Sequence, residues 1–385
     1  MSVSIIQSGS LLNLSQSPIP ITLEESSSVV LNSGYQYVLN LYYWTGSNTD
    51  SGSEPNYTLV KYPNNSGVGI FDVSRILNSN LQQLVQQNPS QVGYFAVEGY
   101  DEWISGTTYV SGSHVRSNTM KYIDGYSIFQ ESIAQPVYDK TPHWPLMTDG
   151  PVTQSAFDFN WGTMSVYTGT TGASTPTKVR YTTNEGATAE IAVSSSLNTS
   201  NQIQQVPIGP ASIGLPSTTE WYNIQAISES IPLGTPIRFN VTCNQKYPNI
   251  RIKWKNRYGQ FDIFNFNMVN RQSFSVNRSV YNPQIGSWEG RGLSYQNYDS
   301  STLNYLVDAN QSISVNTDWV PETYNDIFKQ LLVSDEIYWI YDEPNDLLRP
   351  ITIATNSLTF KTGVNDHVIQ YGFDFNFGQQ YKLII

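Results

Sequence analysis

Residues 236–243 read Pro236-Ile-Arg-Phe-Asn-Val-Thr-Cys243, and beyond them come Ile250-Arg-Ile-Lys-Trp254 and Phe261-Asp-Ile-Phe-Asn-Phe266. In the first two runs apolar and polar side chains alternate with period two, the spacing of a half-buried β-strand, and the third returns as a further strand. Between the last two runs, Asn256-Arg-Tyr-Gly259 supplies turn residues. The pattern predicts a hairpin with Ile250, Ile252 and Trp254 on one face, meeting Phe261 and Ile263 across it.

The same pattern extends outward from this hairpin. Tyr35-Gln-Tyr-Val-Leu-Asn-Leu-Tyr-Tyr-Trp44, Tyr57-Thr-Leu-Val-Lys-Tyr62, Gly93-Tyr-Phe-Ala-Val-Glu-Gly-Tyr100 and Lys121-Tyr-Ile-Asp-Gly-Tyr-Ser-Ile-Phe129 are rich in β-formers. Glu336-Ile-Tyr-Trp-Ile-Tyr341 and residues 351–361 and 367–377 read as closing strands. Two stretches break the pattern. After Asp72, apolar residues fall at Val73, Ile76, Leu77, Leu81, Leu84 and Val85, on one face of a helix. After Pro321, which suits a first helical turn, Tyr324, Ile327, Phe328, Leu331 and Leu332 make a second such stripe. The expected fold is therefore mainly β, with two to three β-sandwich-like domains and two short amphipathic helices.

Punctuation divides the chain. Residues 1–18 are polar, with Ile5, Ile6, Leu11 and Leu12 scattered among them, and end in prolines. They read as an extended N-terminal arm, with a first edge strand as the equal alternative. Residues 19–140 form a sandwich with one helix. Residues 141–232, entered through Pro142, Pro145 and Pro151, alternate short strands with Gly/Thr/Ser turns and contain no helix signal, as in a second sandwich or an insertion. Residues 233–385 form a sandwich with the other helix. The near-copies Phe157-Asp-Phe-Asn-Trp-Gly162 and Phe373-Asp-Phe-Asn-Phe-Gly378 either mark equivalent strand ends or coincide by composition.

Composition narrows the function. Of 385 residues only 13% are charged, against about 25% in an average soluble domain. Asn, Ser, Thr, Gln and 26 Tyr take their place, so the surface is neutral, polar and aromatic rather than disordered. Lys+Arg minus Asp+Glu is 20 − 31 = −11, the wrong sign for a phosphate-tracking surface. One cysteine, Cys243, excludes an intrachain disulfide framework, and its strand-like setting suggests a small buried apolar residue. The start, Met1-Ser-Val-Ser-Ile-Ile-Gln, lacks a signal-peptide pattern, so synthesis and folding in a cytoplasm are expected. No apolar run reaches the length of a membrane-spanning helix.

Chemistry-bearing motifs are scarce. His114, His143 and His367 are far apart and outside any metal-binding spacing, and no G-x-S-x-G or P-loop pattern occurs. The adjacent pairs Asp101-Glu102, Asp335-Glu336 and Asp342-Glu343 point to opposite faces of a strand, unlike the facing carboxylates of a glycosidase. Asp342-Glu-Pro-Asn-Asp346 gathers oxygens in a turn that suits a weak cation, although ordinary turn chemistry explains it better. The nine Trp leave a sugar-stacking surface open as an alternative to core packing.

Three segments together resemble a known family. They are Tyr35–Trp44 with Tyr62-Pro-Asn-Asn-Ser-Gly-Val-Gly-Ile-Phe-Asp-Val-Ser-Arg-Ile-Leu77; then Val206-Pro-Ile-Gly-Pro210 with residues 247–266; then Leu331-Leu-Val-Ser-Asp-Glu-Ile-Tyr-Trp339 with Pro350-Ile-Thr-Ile and Phe360-Lys-Thr-Gly-Val-Asn-Asp366. In this order they are similar to virion structural proteins of tailed bacteriophages, notably crAss-like phages and marine relatives infecting Bacteroidetes. The match covers most of the chain and is weakest over 141–232. The resemblance implies a subunit of a neck, tail or ring assembly, located in the virion, without enzymatic activity or cofactor. Its partners would be copies of itself and other tail or neck proteins such as portal, tail tube or fibres. The candidate assembly contacts are the arm, with Ile5, Ile6, Leu11 and Leu12, and the turn Asn256, Arg257, Tyr258 and Gly259. A ring subunit carries two different complementary patches, and a net −11 would hold free subunits apart and repel packaged DNA. The alternative is a receptor- or glycan-binding module at a tail tip or fibre junction; a glycoside hydrolase is the third reading.

Overall fold

A computed structural model describes residues 3–46, 54–85, 92–127, 142–169, 175–193, 202–243, 246–287, 291–342, 347–360, 368–378 and 381–384. The chain is mainly β, as expected. It divides into two compact units: Met1–Cys243 with Lys255–Asp262, and Asn244–Trp254 with Ile263–Ile385.

The first unit begins with two facing sheets. One pairs Ser4–Gln7, Pro20–Glu24 and Val68–Asp72; the other runs Leu12–Leu14, Met120–Ile123, Gly93–Ser105, Gln36–Trp44 and Tyr57–Lys61. Along Gln36–Trp44 the period-two alternation sends Tyr37, Leu39 and Leu41 into a core shared with Ile21, Leu23, Phe71, Phe95 and Val97. The expected helix is present at Ser74–Val85. Its Leu77 and Leu81 are buried in the same core, with Val73 just ahead of its start, while the side chains of Leu84 and Val85 lie outside the described residues. Asp72 holds the helix start, its carboxylate accepting the Ser74 backbone N–H at 3.0 Å.

The described residues 3–18 form no free arm. Ser4–Gln7 pairs antiparallel with Pro20–Glu24, and Leu12–Leu14 lies parallel to Met120–Ile123. Leu12 and Leu14 enter a cluster with Ile123, Met147, Tyr167, Ile203 and Tyr258 that joins the first sheets to the middle of the unit. The edge-strand alternative is the one observed.

The middle of the first unit is a five-stranded sheet, Thr153–Phe157, Ile231–Thr242, Trp221–Ser228, Lys178–Thr183 and Thr188–Ala192, with a separate pair, Thr163–Tyr167 and Ile203–Pro207. The expected boundary at 232/233 cuts through a hairpin of this sheet. Ile231–Thr242 pairs with Trp221–Ser228 from Ser228↔Ile231 to Trp221↔Asn240, through a turn in which Glu229 takes φ 55. On its other side, Thr153–Phe157 pairs only with positions 238–242. Pro232 and Pro236 therefore sit where a missing N–H leaves that neighbour unaffected. A one-turn helix at Pro210–Ile213, closed by Gly214 at φ 76, also stands where no helix was expected, started by proline and stopped by glycine.

The second unit is an eight-stranded sheet in the order Phe261–Phe266, Ile250–Lys255, Ile337–Asp342, Leu347–Ile353, Gly372–Phe377, Leu303–Asn316 and Arg271–Tyr281, with Tyr381–Ile384 also against Leu303–Asn316. The second expected helix spans Asn325–Val333 and buries Ile327, Phe328 and Leu331. Phe328 lies 5.1 Å from the Phe264 ring, edge to face, and 5.3 Å from the tilted ring of Phe373, at the centre of an aromatic cluster.

Across the opening hairpin the face expected of its second strand is reversed. Ile250, Ile252 and Trp254 are buried, but their companions are Phe264 and Phe266, while Phe261 and Ile263 are half-buried. The Asn256 N–H donates to Gln260 O, and counting back from that pair sets Phe264 opposite Ile252 and Phe266 opposite Ile250. The two hexapeptides are not equivalent: Phe157 ends a strand and enters a turn closed by Asn160, whereas the second copy lies in a strand through Phe377. Cys243 follows the last residue of a strand and is exposed, not buried.

Candidate assembly surface

The turn residues singled out for assembly are spent inside the first unit. Asn256 accepts the backbone N–H groups of Tyr258 at 3.0 Å and Gln260 at 3.1 Å, and its amide donates to Met147 O at 2.9 Å. Arg257 meets Asp149 with Nε 2.5 Å from Oδ2, and the Tyr258 hydroxyl donates to the other oxygen at 2.8 Å. Beside them Lys255 and Asp124 form a buried ion pair at 2.7 Å. Gly259 takes φ 69, and a Cβ there would stand 1.6 Å from Asp124 O, so only glycine fits. With Asn256, Tyr258 and Gly259 buried and Arg257 half-buried, this turn is an internal lock and not a contact surface. Asp262 at its base is fully buried. Burial pushes its carboxyl up to about 7, against the pull of hydrogen bonds from Thr148 and Asn256.

The N-terminal candidates divide. Leu12 is buried and Ile5 packs half-buried on the first core, while Ile6 and Leu11 are exposed.

Among the described residues, the longest run of exposed apolar side chains falls outside the segments read as assembly contacts. Arg271–Tyr281 and Leu303–Asn316 pair from Arg271↔Ser314 to Tyr281↔Leu303, a hairpin at the edge of the second unit's sheet. Its inner end is core: Ile313 and Val315 are buried. Its outer end is not. Phe274 is 58% exposed and Val280 52%, and Tyr281, Leu303 and Tyr305 are exposed with them. In the connection between the strands, Ile285, Leu293 and Tyr295 are exposed and Tyr298 is 84% exposed. Scattered single apolar residues on a surface are ordinary; a run of this kind along one hairpin makes it a candidate interaction surface. Serine and asparagine dilute the alternation along both strands, which is why period-two reading passes over them. The signal that remains in sequence is Phe274, Val276 and Val280 at even spacing.

A second cluster lies on the first unit's larger sheet. Glu98 accepts from the Tyr42 hydroxyl at 3.0 Å and the Asn40 amide at 3.3 Å, with His114 Nδ1 3.5 Å away. His114 stacks on Tyr100 at 4.2 Å, and Arg116 lies 4.3 Å over the Tyr42 ring. Glu98 and Glu102 share this face four residues apart, about 13 Å along a strand, too far for a carboxylate pair acting on one glycosidic bond. The adjacent Asp101 is buried on the opposite face, its carboxyl raised mainly by burial, while Glu102 accepts from Gln36 at 3.0 Å. His143 is buried with its ring nitrogens 2.8 Å and 2.9 Å from the carbonyl oxygens of Thr235 and Gly150, a packing role.

Among the described residues no group of three or more His, Cys, Asp or Glu is placed to hold a metal ion, and no helix is long and apolar enough to cross a membrane. His367 and residues 343–346 of the acidic turn lie outside the described residues. No family model and no curated protein matches this sequence.

Proposed function

We propose that this chain is a non-enzymatic structural subunit of a tailed-phage virion, assembling into a ring at the neck or tail. The observation that supports it best is the aromatic hairpin of Arg271–Tyr281 and Leu303–Asn316, exposed on a chain with little charge to desolvate. Burying such a surface against a sister chain removes apolar area from water without stranding ions. Partners are copies of itself and neighbouring tail or neck proteins.

Peptide mass spectrometry of purified particles, beside mass photometry of the isolated chain, tests the reading. The expected result is a multi-copy particle component that forms a discrete oligomer alone or with one neighbour. Absence from particles together with a permanent monomer sinks it. A glycan-binding module is the second reading, favoured by Trp161 at 41% exposure and Trp319 at 61%. Binding on a glycan array that is lost in Trp161→Ala or Trp319→Ala would favour it over assembly.

A further inference from the structure

We propose that the outer edge of strand Arg271–Tyr281 is completed by the same strand of a second copy, running antiparallel about a two-fold axis at Val276. The inference rests on the assembling-subunit reading; as an isologous contact it joins copies in pairs, beside the head-to-tail contacts that close a ring.

The strand ends its sheet, and among the described residues none pairs on its outer side. At 11 residues it is long for an edge. Edges are usually blunted by proline, by a bulge or by inward charge. This one has no proline, and its only register irregularity, between Ser279 and Val280, places the extra residue, Tyr305, in the neighbouring strand. Its own backbone stays regular and open to a ladder.

The two arginines would repel a random partner strand, but their placement suits a reversed copy. In a continuous sheet, opposed residues must share a face, so an isologous pair is centred on a residue. Centring on Val276 is the register that uses the whole strand. It sets Arg271 opposite Tyr281, Gln272 opposite Val280, Ser273 opposite Ser279, Phe274 opposite Arg278, and Ser275 opposite Asn277. Each arginine then faces an aromatic ring and never another arginine, and the strand holds no acid. Moving the centre by one residue shortens the ladder and separates both arginines from their rings.

The faces agree with this pairing. Phe274, Val276 and Val280 lie on one side, the side that continues through Val276↔Ala309 and Gln272↔Ile313 toward the core. Pairing sets these residues of two copies along one face, where Arg278 of each copy lies against Phe274 of the other, and leaves Ser273, Ser275 and Ser279, with Arg271, Asn277 and Tyr281, on the other face.

Light scattering of the full chain across a concentration series tests the contact. The native chain is expected to pair. Val276→Lys and Val276→Glu each set like charges across the axis and should raise the dissociation constant by roughly tenfold or more. An equimolar mixture should regain the pair, because Lys then faces Glu. A size-conserving check is Val276→Cys with Cys243→Ser, which should give a disulfide-linked dimer on mild oxidation. A native monomer at every concentration, failure of the mixture to recover, or absence of the cross-link each overturns the proposal. An oligomer kept unchanged by both charged variants overturns this contact alone and leaves the assembling-subunit reading in place.

Discussion

Two hairpins close together in sequence have opposite fates. The turn at 256–259 carries an amide, a guanidinium and a phenol, yet it is sunk into the first unit with those groups hydrogen-bonded or ion-paired. The hairpin from Arg271 to Asn316 carries phenylalanine, valine and tyrosine, yet its outer half stands in water. Polarity alone would have sorted them the other way. A polar turn can be buried when every donor and acceptor finds a partner, and an apolar hairpin stays exposed when its own chain supplies no cover. The first arrangement stabilises the fold; the second leaves apolar area open to solvent.

The contrast can be broken most strongly at the lock. Asp124→Ala removes the carboxylate that meets the buried Lys255 ammonium at 2.7 Å, so a loss of about 3–5 kcal/mol is expected in urea unfolding. Gly259→Ala forces a left-handed backbone and a collision with Asp124 O, for about 2–4 kcal/mol by the same measurement.

Asp262 gives a pH signature. Its folded pKa of about 7 exceeds the ordinary 3.8, so between these values the folded chain holds a proton that the unfolded chain has lost. Its contribution is therefore fully present below pH 3.8 and lost as the pH rises through about 7. Asp262→Asn should flatten that part of the stability–pH curve and gain about 1–3 kcal/mol at pH 8. A native curve without this decline, or one the variant leaves unchanged, would show that the buried acid does not govern stability in this range.

The smallest change in stability belongs to the exposed hairpin. Tyr298→Ser and Phe274→Ser should shift unfolding by no more than about 0.5 kcal/mol while weakening oligomer formation. Thermal melts beside mass photometry separate the two effects. Equal oligomers from both variants would show that this surface is not used.

Local pattern was enough for several elements. Leu77 and Leu81, and Ile327 and Phe328, announce their helices because a buried stripe must recur every three to four residues. Tyr37, Leu39 and Leu41 lie in a strand whose other face, with Val38, Asn40 and Tyr42, is buried as well, so its β-formers announce it rather than alternation. Faces and boundaries were harder. Phe261 and Ile263 read as the core-facing pair, although Ile263 and Phe264 are adjacent apolar residues and alternation fits either face. The turn's register, on which every face of the following strand depends, is set by the Asn256–Gln260 hydrogen bond and reverses that choice. The boundary at 232 falls inside strand Ile231–Thr242, which runs through Pro232 and Pro236 because one side of that stretch has no neighbour.

From the amino acids alone came the β class, the two helices, the low charge and the absence of familiar catalytic spacings, since each is a property of composition or of near neighbours along the chain. Only the tertiary structure decided that the turn at 256–259 is interior and that Phe274 and Tyr298 are exterior. Burial depends on whether a distant segment arrives to satisfy or cover a group. Met147, Asp149 and Asp124 arrive at the first; among the described residues Phe274 and Tyr298 stay exposed.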